Sequence, residues 1–261
     1  MNTECSDPLV IGHRGASAHA PENTLAAFAR ALSDGADGLE FDVRLARDGV
    51  PVVIHDATLS CTALRRGKVA SLSSADLAEI DVGSWFNQRF PARARDEYAQ
   101  ERVPTLAHVI KLFAPRCRVL YVELKCERAE TGELTAATVA VLRASAFARR
   151  CVVESFALGA VAEVKRLAPE LRTAALFERT LRRPHVPARE LLERAVACGA
   201  DEIALHRSLV SRRTVEAARA AGLPTVVWTV DHPAWARRAA ELGLHALITN
   251  YPARMLSNRE S

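Results

Sequence analysis

Short apolar runs alternate with longer segments in which apolar residues recur at helical spacing, almost to the C-terminus. The runs predict strands over Leu9–Gly12, Gly38–Val43, Val52–His55, Val119–Leu124, Cys151–Ser155, Thr173–Leu176, Glu202–Leu205, Thr225–Thr229 and Ala246–Thr249. The longer segments predict helices over Thr24–Asp34, Leu106–Ala114, Leu134–Ala146, Leu158–Ala168, Ala188–Cys198, Ser211–Ala221 and Pro233–Leu242. Repeated strand–helix units imply an α/β fold with a mostly parallel sheet covered on both faces. Nine strands are one too many for a (β/α)8 barrel, and the gap between Val43 and Val52 resolves this. It is too short for a parallel crossover and holds Asp48-Gly49, a strong hairpin signal. Val52–His55 is therefore expected to fold back antiparallel on Gly38–Val43. With Asp48 and Gly49 as the two loop residues, Arg47 pairs with Val50 and Asp42 lies opposite His55.

Residues 57–104 break the pattern, with one short helix expected over Ser73–Ile80 and a polar run from Gln88 to Arg102. They are read as an inserted subdomain, after His55, packed over one mouth of a single barrel domain spanning 1–261. Trp85, Phe86 and Phe90 argue against disorder there.

Composition narrows the functional classes. The 261 residues are 49% hydrophobic and 25% charged, with a net charge of +4. The basic residues are mostly Arg and scattered, which biases the protein weakly toward anionic ligands and gives no case for nucleic acid. Cys5, Cys61, Cys117, Cys126, Cys151 and Cys198 form no C-x-x-C pair, and free thiols in a reducing compartment are expected. The first residues lack the charge-then-apolar pattern of a signal peptide, and no apolar stretch reaches the ~18 residues of a membrane span. A cytoplasmic location without stable membrane insertion is the expectation; the oligomeric state stays open.

The ionisable residues on apolar runs carry the chemistry. Glu40 and Asp42 share one strand face, and Tyr121, Glu123 and Lys125 alternate in the same way against Val122 and Leu124. Helices cover a barrel's outside, so the polar set faces the interior near an end. Gathered carboxylates repel one another, and a divalent cation relieves that; all-oxygen ligation suits Mg²⁺ or Ca²⁺. The alternative is structural ion pairing with Arg14, Arg44 and Lys125. His13 and His55 each close an apolar run, and a facing pair supplies one acid and one base near neutrality. With a cation and Arg14 nearby, such a set suits attack at phosphorus, without excluding a carbon-centred lyase or hydrolase. His206 ends a strand at the presumed catalytic mouth and is a candidate pocket residue.

The sequence resembles the glycerophosphodiester phosphodiesterase family. The matching pieces are GHRG (Gly12–Gly15), PENT (Pro21–Thr24), EFDV (Glu40–Val43), HD (His55-Asp56), VELK (Val122–Lys125), SF (Ser155-Phe156) and WTV (Trp228–Val230), in order over nearly the whole chain. The resemblance implies a TIM-type barrel with a small insertion after the second histidine, His13 and His55 as the acid–base pair, and Glu40, Asp42 and Glu123 as ligands of one divalent cation. Arg14 and Lys125 would hold phosphate, and Trp228 and Phe156 would wall the pocket. It implies a small-molecule glycerophosphodiester substrate whose own 2-hydroxyl attacks phosphorus. The resulting cyclic phosphate is hydrolysed, giving glycerol 3-phosphate and an alcohol. Phospholipase D-like action on lysophospholipids is the rival use of the same site, and a catalytically silent barrel that binds phosphate esters or a protein partner is a third reading. The sequence departs from the family pattern at Ser60-Cys61-Thr62-Ala63, at Asp231 and at Asn250.

Overall fold

The computed structural model describes residues 7–126, 131–179 and 186–257. Its strands are β1 (Leu9–His13), β2 (Gly38–Leu45), β3 (Pro51–Val53), β4 (Val119–Leu124), β5 (Cys151–Ser155), β6 (Arg172–Phe177), β7 (Glu202–His206), β8 (Thr225–Trp228) and β9 (Ala246–Thr249). They form one sheet in the order β1-β9-β8-β7-β6-β5-β4-β2-β3, and β1 also pairs with β2. That last pairing closes eight parallel strands into a TIM-type (β/α)8 barrel. The ninth, β3, is the antiparallel excursion expected from the short connection.

Helices α1 (Leu25–Ser33), α4 (Leu106–Phe113), α5 (Thr131–Ala144), α6 (Leu158–Leu167), α7 (Ala188–Ala197), α8 (Arg212–Ala220) and α9 (Ala234–Leu242) fall where the periodicity places them. The short α2 (Ser74–Leu77) and α3 (Ser84–Arg89) lie in the inserted stretch, and α10 (Pro252–Leu256) follows β9. The sequence pattern missed α3 and α10, which are too short to show a helical period. Thr24 caps α1 by accepting from the Ala27 backbone N–H at 3.2 Å.

Strand parity divides the core. Outward residues such as Leu39, Phe41, Val43, Leu120, Val122 and Val153 pack under the helices. There Phe28 of α1 meets Phe41 of β2 and Phe113 of α4 at ring separations of 5.6 and 5.5 Å. Truncating such a fully buried phenylalanine to Ala costs about 3–5 kcal/mol. Inward residues form a smaller cluster of Ile11, Val119, Tyr121, Val152, Ala174, Ala204 and Val226. Below it, the Tyr121 hydroxyl donates to Glu202 Oε2 at 2.8 Å, and Glu202 also binds Arg172. Above the apolar layer, at the C-terminal ends of β1, β2, β4 and β5, the inward residues are ionisable: His13, Glu40 and Asp42, Glu123, and Glu154.

The segment 57–104 is held in two places. Leu59, Val69, Leu77, Ile80, Val82 and Val103 pack on Val52 and Ile54. Phe86 and Tyr98 pack on Ala20 and Ala27, and the Tyr98 hydroxyl donates to the His19 carbonyl at 3.0 Å. The polar run is ordered by the Asn87 side chain, which donates to the Arg95 carbonyl and accepts from its N–H. Cys61, Cys117, Cys126, Cys151 and Cys198 are free thiols; Cys5 lies outside the described residues. No helix among the described residues is long and apolar enough to cross a membrane.

Candidate active site

The site forms where β1 and β3 meet. β4 occupies one edge of β2 from Gly38 to Val43, and β1 and β3 share the other. β1 runs up that edge until His13 pairs with Glu40. β3 runs down it until the Ile54 N–H reaches the Asp42 carbonyl at 3.0 Å. Only Phe41 separates the two ends along β2, so His13 and His55 are delivered to one place from opposite directions.

The hairpin register differs from the expected one by a residue. Val43 pairs with Val53 and Leu45 with Pro51, so Ile54, not His55, lies opposite Asp42. The loop has three residues, Arg47, Asp48 and Gly49, because Gly49 adopts a left-handed φ of +77° and Ala46 bonds Val50. A one-residue slip reverses which face a side chain takes. His55 reaches the cavity regardless, because it follows the last paired residue and the chain has left the strand.

Parity brings Glu40, Asp42 and Glu123 together: one carboxylate oxygen of each lies within 4.8 Å of the other two. Their exposures are 2%, 0% and 7%. Lys125 Nζ contacts Asp42 Oδ1 at 3.0 Å and Glu123 Oε1 at 2.7 Å. Arg14 Nε contacts Asp42 Oδ2 at 3.0 Å, and Arg14 Nη1 contacts Glu22 Oε1 at 2.9 Å. Asn23 Nδ2 donates to Asp42 Oδ2 at 2.8 Å, and the Arg14 N–H donates to Glu40 Oε2 at 3.0 Å. Arg14 and Asn23 hold left-handed φ values of +52° and +59°. Each costs about 1–2 kcal/mol in a non-glycine residue, and these hydrogen bonds sustain them.

The electrostatics are uneven. Burial disfavours the charge on Asp42, but Arg14 and Lys125, with help from His55 and Asn23, hold its carboxyl well below the usual range. Burial and the neighbouring Asp42 and Glu123 push Glu40 well above it. Burial and Asp42 push Glu123 up to about 7 against the pull of Lys125. Ion pairing thus compensates Asp42 and leaves Glu40 only partly compensated: its Oε2 accepts from the Arg14 N–H, but its Oε1 is buried with no hydrogen-bond partner among the described residues. Arg44, the third cation of the ion-pair alternative, spends its Nε on the His55 carbonyl at 2.6 Å. A buried cluster of oxygen donors with an orphaned oxygen fits a hard divalent cation.

These groups open onto a cavity of about 350 Å³ whose wall includes His13, Arg14, Glu40, His55, Glu123, Lys125, Phe156 and Trp228. Asp42, fully buried, contacts the Arg14 and Lys125 of that wall. Phe156 and Trp228 meet edge to face at 5.4 Å. His206 sits behind that wall, its ring 5.2 Å from Trp228 and its Nδ1 bonded to Ser208 Oγ. His13 Nδ1 lies 2.7 Å from Asn250 Oδ1, and its Nε2 is 3.8 Å from Glu40 Oε2. His55 Nδ1 lies 2.7 Å from Asp56 Oδ1. Burial, aided by Arg14, lowers His13 to about 4; burial also lowers His55, although Asp42 opposes it.

Sequence reasoning gave no site role to Glu22 and Asn23, although the PENT match contains them, and passed over Glu154. Glu154 is buried, lines the cavity and pairs in register with Glu123. Its parity within the apolar run Cys151–Ser155 was the available signal. Burial and the nearby Glu40 and Glu123 push its carboxyl well above the usual range.

A family model described as the glycerophosphoryl diester phosphodiesterase family matches residues 13–254. The glycerophosphodiester phosphodiesterase of Caldanaerobacter subterraneus is 31% identical over 251 residues, covering 95% of this chain and 96% of that one. That of Bacillus subtilis is 30% identical, covering 94% and 84%. The structure of an Oleispira antarctica phosphodiesterase in complex with the product sn-glycerol-3-phosphate superposes with a TM-score of 0.84 at 31% identity, covering 98% of both chains.

Proposed function

Because the chain belongs to the glycerophosphoryl diester phosphodiesterase family, we propose that it hydrolyses glycerophosphodiesters to glycerol 3-phosphate and an alcohol at the cavity between His13 and His55. The observation that carries the reading is the convergence of three buried carboxylates, two cations and two imidazoles on that one cavity. The product bound to the Oleispira relative has the chemistry such a site would release.

Glu40, Asp42 and Glu123 would hold one divalent cation, Mg²⁺ or Ca²⁺. That cation supplies Lewis-acid polarisation of a phosphoryl oxygen. Arg14 and Lys125 are positive at neutral pH and hold the phosphoryl group over the carboxylates. One imidazole takes the proton of the attacking hydroxyl, first the substrate's 2-hydroxyl as the alcohol leaves and then the water that opens the cyclic phosphate to glycerol 3-phosphate. The other gives a proton to the departing alcohol oxygen. Phe156 and Trp228 exclude water from one side, and His206 braces Trp228. Residues 57–104 serve as an inserted subdomain of one barrel domain, steadying the loop after β1 through Tyr98.

Glycerol 3-phosphate release is to be measured across a panel of glycerophosphodiesters, with and without chelator. Release that stops on chelation and returns with Mg²⁺ or Ca²⁺ is expected. Chelator-insensitive release would remove the cation from the reading, and no release from any diester would remove the activity. Phospholipase D-like action on lysophospholipids is favoured by one feature, the 39% exposure of Phe156 beside the cavity. Lysophosphatidylcholine assayed beside glycerophosphocholine separates the two.

A further inference from the structure

Behind His13 lies a hydrogen-bonded pair with no assigned role. Asp231 Oδ1 accepts from the Asn250 backbone N–H at 2.9 Å and from Thr249 Oγ1 at 3.1 Å. Its Oδ2 accepts from Asn250 Nδ2 at 2.8 Å. A carboxylate holding three donors has no proton to give, so only the NH₂ end of the Asn250 amide can face it. The amide oxygen must then point the other way, at His13 Nδ1 (2.7 Å) and Ser17 Oγ (2.7 Å). An amide oxygen only accepts, so His13 Nδ1 must carry a hydrogen whether the ring is neutral or charged.

We propose that Asn250, oriented by Asp231, is a positioning residue that fixes the His13 tautomer. Nδ1 stays protonated, and all proton exchange with substrate passes through Nε2, the nitrogen on the Glu40 side of the ring. The catalytic consequence rests on the function proposed above; the tautomer itself does not. Asp231 acts two bonds removed from the ring, by choosing which end of an amide the ring sees.

The test is a reciprocal exchange. Asp231→Asn changes no heavy-atom shape. Its Oδ1 still accepts the Asn250 N–H, which turns its NH₂ toward the Asn250 NH₂. Asn250 then flips, presents its own NH₂ to His13, and forces the proton to Nε2. A base held in the wrong tautomer loses ~10²–10⁴-fold in kcat. Asn250→Asp alone sets two carboxylates 2.8 Å apart and also loses activity. The double variant Asp231→Asn/Asn250→Asp restores a donor facing an acceptor, and an acceptor facing His13, and recovers kcat to within ~10-fold of the parent. Imidazole ¹⁵N shifts should report Nδ1–H in the parent and the double variant, and Nε2–H in Asp231→Asn. An Asp231→Asn protein that keeps Nδ1–H overturns the proposal, as does a folded double variant no better than the worse single. The NMR arm needs no substrate. A chain inactive on every diester but with an inverted tautomer in Asp231→Asn would sink the functional reading and leave the positioning role standing.

Discussion

His13 and His55 face one cavity from supports of different build. His13 ends β1, which is paired on both sides, to β2 and to β9. Its ring rests on Asn250 at the end of β9, so its partner comes from 237 residues away. The backbone behind it is wedged: a Cβ on Gly15 would stand 2.5 Å from the Ala27 carbonyl carbon, and Gly15 has a φ of +84°. His55 stands two residues beyond a three-residue strand, leans on its own neighbour Asp56, and has a side chain 31% exposed against 19% for His13. The barrel thus fixes one of the two proposed acid–base imidazoles through long-range pairing. A local hairpin carries the other, held by its own neighbour and more open to solvent.

The largest expected effect tests whether the two act as a pair. His13→Ala and His55→Ala should each lower kcat by ~10²–10⁴-fold, and the double variant should be little worse than either single. Additive losses would mean the two act in separate steps. Steady-state release of glycerol 3-phosphate with melting curves as a folding control decides it.

The backbone comparison comes next. Gly15→Ala forces a Cβ into α1 and should cost more than ~2 kcal/mol, lowering Tm by several degrees. Gly49→Ala meets no atom within 4 Å and pays only for its left-handed φ. That is about 1 kcal/mol, or ~2–4 °C in Tm. If the hairpin were as rigidly built as the β1 side, the two shifts would be alike.

Between the histidines, Glu40 is buried without full compensation, so its proposed role as a cation ligand would oppose stability. Glu40→Gln should raise the Tm of chelator-treated protein by a few degrees, since the new NH₂ can donate to the neighbouring carboxylates. Added Mg²⁺ or Ca²⁺ should raise the Tm of the parent and leave that of the variant unchanged. A fall in the metal-free Tm would show that Arg14 and Lys125 already neutralise the cluster.

The smallest effect concerns the second ring. Asp56→Asn keeps an acceptor for His55 Nδ1 and removes its charge, so a loss of about tenfold in kcat is expected. A loss as large as that of His55→Ala would make Asp56 indispensable to the hairpin side.

The sequence by itself determined the strands, the helices around the barrel, and the faces on which Glu40, Asp42 and Glu123 lie. Those follow from periods of 2 and 3.6 residues, which are local. It also marked Asp231 and Asn250 as departures without showing that they bond each other. It misjudged the hairpin register, because the loop length was settled by the backbone conformation of Gly49, which its neighbours permit but do not announce. Only the closed barrel made β1 and β3 abut on one edge of β2, set Glu154 beside Glu123, and put Asn250 behind His13. These contacts depend on which strands become neighbours, and chain closure decides that between residues far apart in the sequence.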